Sequence, residues 1–199
     1  EIASCLVGSE MCIRDRCYYW LAYAGMAEED ILNVKCSDVD FAKLRVNYES
    51  RYTVVPIYPE SLDAFHNCAE LNQFLFVHPN YSKEIWKARA EGDTLIRGIK
   101  SVPTLKALRV ELSRRSKQNS DKTPLKLSYF RVWISGVFYR MYEQEIIGVP
   151  PDFNAIAYQQ MEGKTYKLDS GRNTMEAKRR QLVRDYEEDY ERWKLAWFL

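Results

Sequence analysis

The longest stretch of helical periodicity covers residues 124–147 and contains KLSYFRVWISGVFYRMYEQEII. Pro124 suits a first helical turn, and only Gly136 interrupts the pattern before Gly148. Leu127, Phe130, Ile134, Val137, Met141 and Glu145 follow one another at helical spacing, and Phe138 and Tyr142 widen the apolar side. Ser128, Arg131 and Ser135 form a separate, narrow stripe. An arginine on so apolar a helix needs an anion, either a carboxylate of its own fold or a phosphate.

The rest of the chain alternates shorter patterns. Residues 17–24 read as an apolar helix closed by Gly25, and 27–34 as a second helix with an acidic first turn. A turn at 37–40 leads into strands at 43–48 and 52–57, joined through 49–51. Pro59 opens a helix that is expected to reach Gln73. Residues 74–77 read as extended, 82–90 as helical, 94–96 as extended, and 102–117 as a helix with Leu105, Leu108 and Leu112 inward. A polar loop at 118–123 follows. After a stop at 148–151 come a helix at 152–161 and a final helix at 173–197, with Asn173 as its cap. Met175, Leu182, Tyr186, Tyr190, Trp193 and Trp197 form its apolar seam. The fold class expected from this order is α+β, mainly α.

Composition narrows the class. With 199 residues and 46% apolar side chains, the chain can bury a core. No apolar run approaches the roughly 18 residues that span a bilayer, so no membrane partner is expected. The net charge of +1 hides an uneven distribution. Residues 27–70 carry four Lys/Arg against nine Asp/Glu, whereas residues 83–131 carry thirteen against five. Such a local basic block is either a solvated face or a polyanion-facing surface. The five cysteines contain no CxxC pair, and His66 and His78 lack metal spacing. A reducing, cytoplasmic compartment is expected, with no disulfide framework, no metal and no cofactor.

Leu6–Asp15, LVGSEMCIRD, resembles the conceptual translation of a transposon-end sequencing adapter. Residues 1–16 are therefore expected to be a non-native segment. Residues 17–199 form the domain proper, and its natural upstream part is expected to be missing. A signal peptide is excluded by the charges at Glu10, Arg14, Asp15 and Arg16.

The passage AYAGMAEEDILNVKCSDVDF, followed by RVNY and TVVPIYPESLDAF, resembles the start of the catalytic domain of tyrosine recombinases, the phage-integrase family. Gly25, Asp30, Ile31, Asp38, Asp40, Val55, Pro56, Ile57 and Pro59 fit the family's frame. The later LSYFRVWISGVFYRMYEQEIIGVPPDFNAIAYQQMEGK resembles its His-x-x-Arg helix and the approach to a Gly-His motif. The resemblance implies recombinase-like helices around a small β-hairpin, duplex DNA as partner, and site-specific recombination or integration. It also implies a metal-free reaction in which a tyrosine attacks a phosphodiester while arginines stabilise the charge.

Within that frame Arg131 falls on the second arginine. The first arginine is replaced by Ala27 and the histidine by Ser128, and Lys164 stands where the Gly-His histidine belongs. Arg51 or Lys43 lies near the expected acid, and Tyr186 or Tyr190 is the available nucleophile. Arginine is too basic to be an effective acid. The catalytic set is thus largely substituted, and three functions follow: a DNA-binding domain with degraded catalysis, an active recombinase with an altered set, or an inert interaction scaffold. Lys106, Arg109, Arg114, Arg115 and Lys117 are the expected phosphate contacts. The C-terminal seam is the expected contact for a homo-oligomer.

Overall fold

The computed structural model describes residues 10–48, 55–77, 84–99, 101–104, 128–161 and 175–198. The chain divides into two compact units, Glu1–Gly136 and Val137–Leu199.

Unit 1 begins with α1 (Glu10–Tyr23), which runs back through the adapter-like stretch rather than starting at Cys17. Cys17, Tyr18, Leu21 and Ala22 are fully buried, as their helical spacing dictates. The helix closes where the sequence says it should. Gly25 takes φ +103°, its N–H bonds the Ala22 carbonyl at 2.9 Å, and the Met26 N–H reaches back to Leu21 at 3.1 Å. This pair of bonds satisfies carbonyls that a helix end leaves orphaned, and the left-handed backbone favours glycine. The next helix, α2, is shorter than expected and spans only Glu28–Ile31.

A 3₁₀ turn at Cys36–Asp38 leads into an antiparallel sheet of β1 (Val39–Asp40), β2 (Arg45–Val46) and β3 (Val55–Pro56), in that order. Val39 pairs with Val46, which pairs with Val55. The two predicted strands are therefore present at Arg45–Val46 and Val55–Pro56, with residues 49–54 of the expected hairpin outside the described residues, and β1 adds an edge where a turn was expected. Pro59 opens a 3₁₀ turn, and α3 (Leu62–Glu70) follows.

The helix predicted to reach Gln73 stops three residues earlier, and the helix predicted at 82–90 is not a helix. Gln73–Val77 and Glu84–Ala88 instead form β4 and β5, an antiparallel ribbon in which Leu75 faces Trp86. Ile85 and Trp86 favour a strand once a partner of like composition is opposite, and helical spacing along one segment does not report that partner. Residues 102–104 are helical; the remainder of the helix expected at 102–117 lies outside the described residues.

The long helix, α4, spans Tyr129–Ile146, and the boundary between the units falls within it. Its start is set by Ser128, whose Oγ accepts the Arg131 N–H at 3.3 Å. Ser128 is thus an N-cap, and the helix begins after it rather than at Pro124. The inner face also differs from the expected one. Phe130 is 41% exposed, whereas Trp133 is buried and Tyr129 and Val132 pack on the core. Tyr129 Oη donates to the Met26 carbonyl at 2.7 Å and Trp133 Nε1 to the Gly25 carbonyl at 3.3 Å. Both rings carry an apolar body and a polar tip, so they suit the turn after α1 better than Phe130 does.

Unit 2 contains the second half of α4, α5 (Phe153–Met161) and α6 (Met175–Phe198). The stop after α4 repeats the earlier pattern, with the Val149 N–H on Gln144 and the Gly148 N–H on Glu145. Asp152 caps α5 by accepting the Ala155 N–H at 3.1 Å. Among the described residues of unit 2, Phe138, Met141, Ile156, Ala157, Met161, Tyr186 and Tyr190 are buried. Taken unit by unit, the described chain is mainly helical with small antiparallel sheets. Among the described residues no helix is long and apolar enough to cross a membrane.

Candidate functional site

Arg131 is the third residue of α4 and is exposed. At 100° per residue it stands roughly 200° around the helix from Tyr129, and as far from Trp133 in the other sense. Those two side chains face the Gly25–Met26 turn, so Arg131 projects from the opposite side. A guanidinium beside the first N–H groups of an 18-residue helix sums two sources of positive potential. This arrangement suits an anion. It does not converge on Ala27, which follows the Gly25–Met26 turn and offers no polar side chain.

Not all of the basic block faces outward. Arg89 is buried, and its Nη1 donates to the carbonyls of Cys68 at 2.7 Å, Leu71 at 3.1 Å and Asn67 at 3.3 Å. Arg97 is half-buried and donates to the Ala69 carbonyl at 2.9 Å and to Asn72 Oδ1 at 3.1 Å. Both guanidiniums therefore complement the negative end of α3. Lys106, Arg109, Arg114, Arg115 and Lys117 lie outside the described residues, as do Arg51 and Lys164.

The two tyrosines lie one helical turn apart on α6, both buried in unit 2. Tyr190 is 1% exposed and donates its hydroxyl to Glu145 Oε2 at 2.6 Å. Its ring meets Phe138, Phe153 and Trp193, and the Lys194 ammonium lies 4.6 Å from its centre. Burial, and then the hydrogen bond to Glu145, hold its hydroxyl well above the usual tyrosine range. Such a phenol is a poor nucleophile, because it is both enclosed and reluctant to ionise. Tyr190 fits packing better than attack on a phosphate.

Of the expected site, then, Arg131 is presented to solvent on one unit, while Tyr186 and Tyr190 are enclosed in the other. Among the described residues no group of three or more His, Cys, Asp or Glu is placed to hold a metal ion. Cys17 and Cys68, far apart in the sequence, are both fully buried in the core of unit 1, which their spacing did not signal. No family model, curated protein or solved structure matches the chain.

Proposed function

We propose that this chain is a DNA-binding domain of the tyrosine-recombinase type whose catalytic set is largely substituted. One observation carries it: Arg131 lies exposed in the first turn of α4, beside the helix N-terminus, where the family frame puts a phosphate-binding arginine. The order of short helices, three-stranded sheet and Pro59-led helix supports the same frame. Turnover has less support. Removing one charge-stabilising donor costs about 10²–10³ in rate, and here an arginine and a histidine position are both replaced while Tyr190 is enclosed.

Titration of duplex DNA with the full chain at rising salt tests the binding. Saturable binding at low salt, weakened by Arg131→Ala, is expected; absence of binding at low salt defeats the proposal. A nicked suicide duplex is expected to trap no covalent adduct. A trapped adduct would move the reading to an active recombinase with an altered set. Association of copies through the end of α6 belongs to the same proposal. Truncation before Glu191 should then lower the mass in solution, and an unchanged mass removes that part.

A further inference from the structure

The apolar seam of α6 is used inside unit 2, where Tyr186 and Tyr190 are buried. The opposite side of the helix carries a second seam. Ala177, Gln181, Arg184, Glu188, Glu191 and Leu195 are all exposed. Leu195 is a large apolar side chain left 59% exposed. The steps between these residues alternate four and three. At 100° per residue they therefore fall within an arc of roughly 80°, with Tyr186 on the far side. This is the spacing by which one helix lies along another.

The seam has a direction. The small and basic residues come first, and the glutamates and the leucine follow. A second α6 laid parallel would set Arg184 on Arg184 and each glutamate on its copy, and like charges so placed repel. Laid antiparallel, the seam complements itself. Ala177 meets Leu195, Gln181 meets Glu191 and Arg184 meets Glu188, each pair occurring twice about a two-fold axis. The charged groups can exchange into these pairs. Arg184 Nη2 donates to the neutral Gln181 Oε1 at 2.8 Å, a bond that leaves its charge uncompensated. Glu188 meets Arg192 at 3.3 Å and Glu191 meets Lys194 at 2.8 Å, both within their own helix. Exposed pairs of this kind hold little free energy.

We propose that two copies of the chain pair through this outward face of α6, antiparallel about a two-fold axis, with Arg184 of each on Glu188 of the other. The inference rests on the association of copies in the proposed function and names the face that carries it. The seam enclosed in unit 2 cannot dock without opening the unit, whereas the outward seam is already at the surface. Because the contact is mostly polar, the dimer is weak and sensitive to salt.

Sedimentation equilibrium of the full chain at about 0.05 M and about 0.5 M salt tests the pairing. A monomer–dimer equilibrium is expected at the lower salt, shifted towards monomer at the higher. Arg184→Glu makes the middle of the seam wholly acidic, and Glu188→Arg makes it basic. Each variant, checked for folding by circular dichroism, should weaken self-association about tenfold or more, as like charges face one another. An equimolar mixture of the two should dimerise again, since every facing pair is then opposite in charge. The double variant Arg184→Glu, Glu188→Arg should also dimerise with itself. A wild-type chain that stays monomeric at low salt overturns the proposal. Single variants that associate as well as wild type overturn it, as does a mixture that remains monomeric. DNA binding is read separately on the same proteins. Its absence with the charge-swapped dimer intact defeats the DNA reading alone, and its presence in chains that never pair defeats this inference alone.

Discussion

Gly136 shows how one missing carbon decides a helix contact. In an exposed helix, Gly to Ala gains about 1 kcal/mol. Here a Cβ would overlap the backbone carbonyl of Tyr23, which cannot swing aside as a side-chain tip can. Overpacking typically costs about 1–3 kcal/mol, so the sign reverses. Gly136→Ala should lower the urea midpoint of unit 1, and an unchanged or higher midpoint would mean that α1 and α4 are not this close.

Arg14, in the adapter-like stretch, is the opposite case. It is 6% exposed, its Nε is buried with no hydrogen-bond partner among the described residues, and Asp15 stands 3.8 Å away. Replacing a poorly compensated buried charge with an apolar side chain is often stabilising by about 1–4 kcal/mol. Arg14→Leu is therefore expected to raise the urea midpoint of unit 1, and a lowered midpoint would mean that the Arg14 charge is well compensated.

Tyr190 is tied to pH. Its hydroxyl is held above the usual tyrosine range, so the folded state keeps the proton more firmly than the unfolded chain does. Its stabilising effect is complete below a tyrosine's ordinary pKa of about 10 and declines as pH rises beyond it. Tyr190→Phe should cost roughly 1.5–3 kcal/mol, the usual value of a hydrogen bond to a charged group. It should also remove the alkaline decline of unit 2 that wild type shows in pH-dependent melts.

At the level of elements, α6 opens with an exposed charge cluster. Arg179 grips Glu176 through Nε and Nη2 at 2.9 and 2.7 Å, Arg180 adds a bond at 3.0 Å, and Arg179 Nη1 also reaches Asn154 of α5. The hydrogen bond from Arg179, then that from Arg180, holds the Glu176 carboxyl at about 2 against its ordinary 4.5. A lowered pKa means that the contribution is present above 4.5 and is lost as pH falls through about 2. Carboxyl-carbon NMR should place the Glu176 midpoint near 2, and Arg179→Ala should move it back towards the ordinary value.

The same scale separates what the residue pattern reveals from what it hides. The strand at Val55–Pro56 follows from a β-branched run closed by prolines, and the stops at Gly25 and Gly148 are local devices, each readable within six residues. Four features are not. The face of α4 depends on where the tips of Tyr129 and Trp133 find carbonyls, far away in the chain. The strand at Glu84–Ala88 depends on Gln73–Val77 opposite it. The inward turn of Arg89 depends on the end of α3, and Cys17 of α1 and Cys68 of α3 are buried in one core. Within the site, Arg131 stands exposed on α4, while the seam around Tyr186 and Tyr190 is packed within its own unit.

For the whole molecule, a net charge of +1 gives little long-range pull towards a polyanion, so any DNA affinity must come from the local basic block. That block is smaller than its thirteen basic residues suggest, since Arg89 and Arg97 are committed to α3. Each phosphate neutralised contributes about 0.9 to the slope of log affinity against log salt. If roughly half of the remaining eleven residues meet phosphates, the slope is about −5. Arg131→Ala should make the slope shallower by about one unit and weaken binding to all duplexes alike, because a phosphate contact carries no sequence information. Arg97→Gln retains donors for Ala69 and Asn72 while removing a charge already turned inward, so it should leave the slope unchanged. If Arg97→Gln alters the slope and Arg131→Ala does not, the DNA-facing surface is not the one that begins at α4.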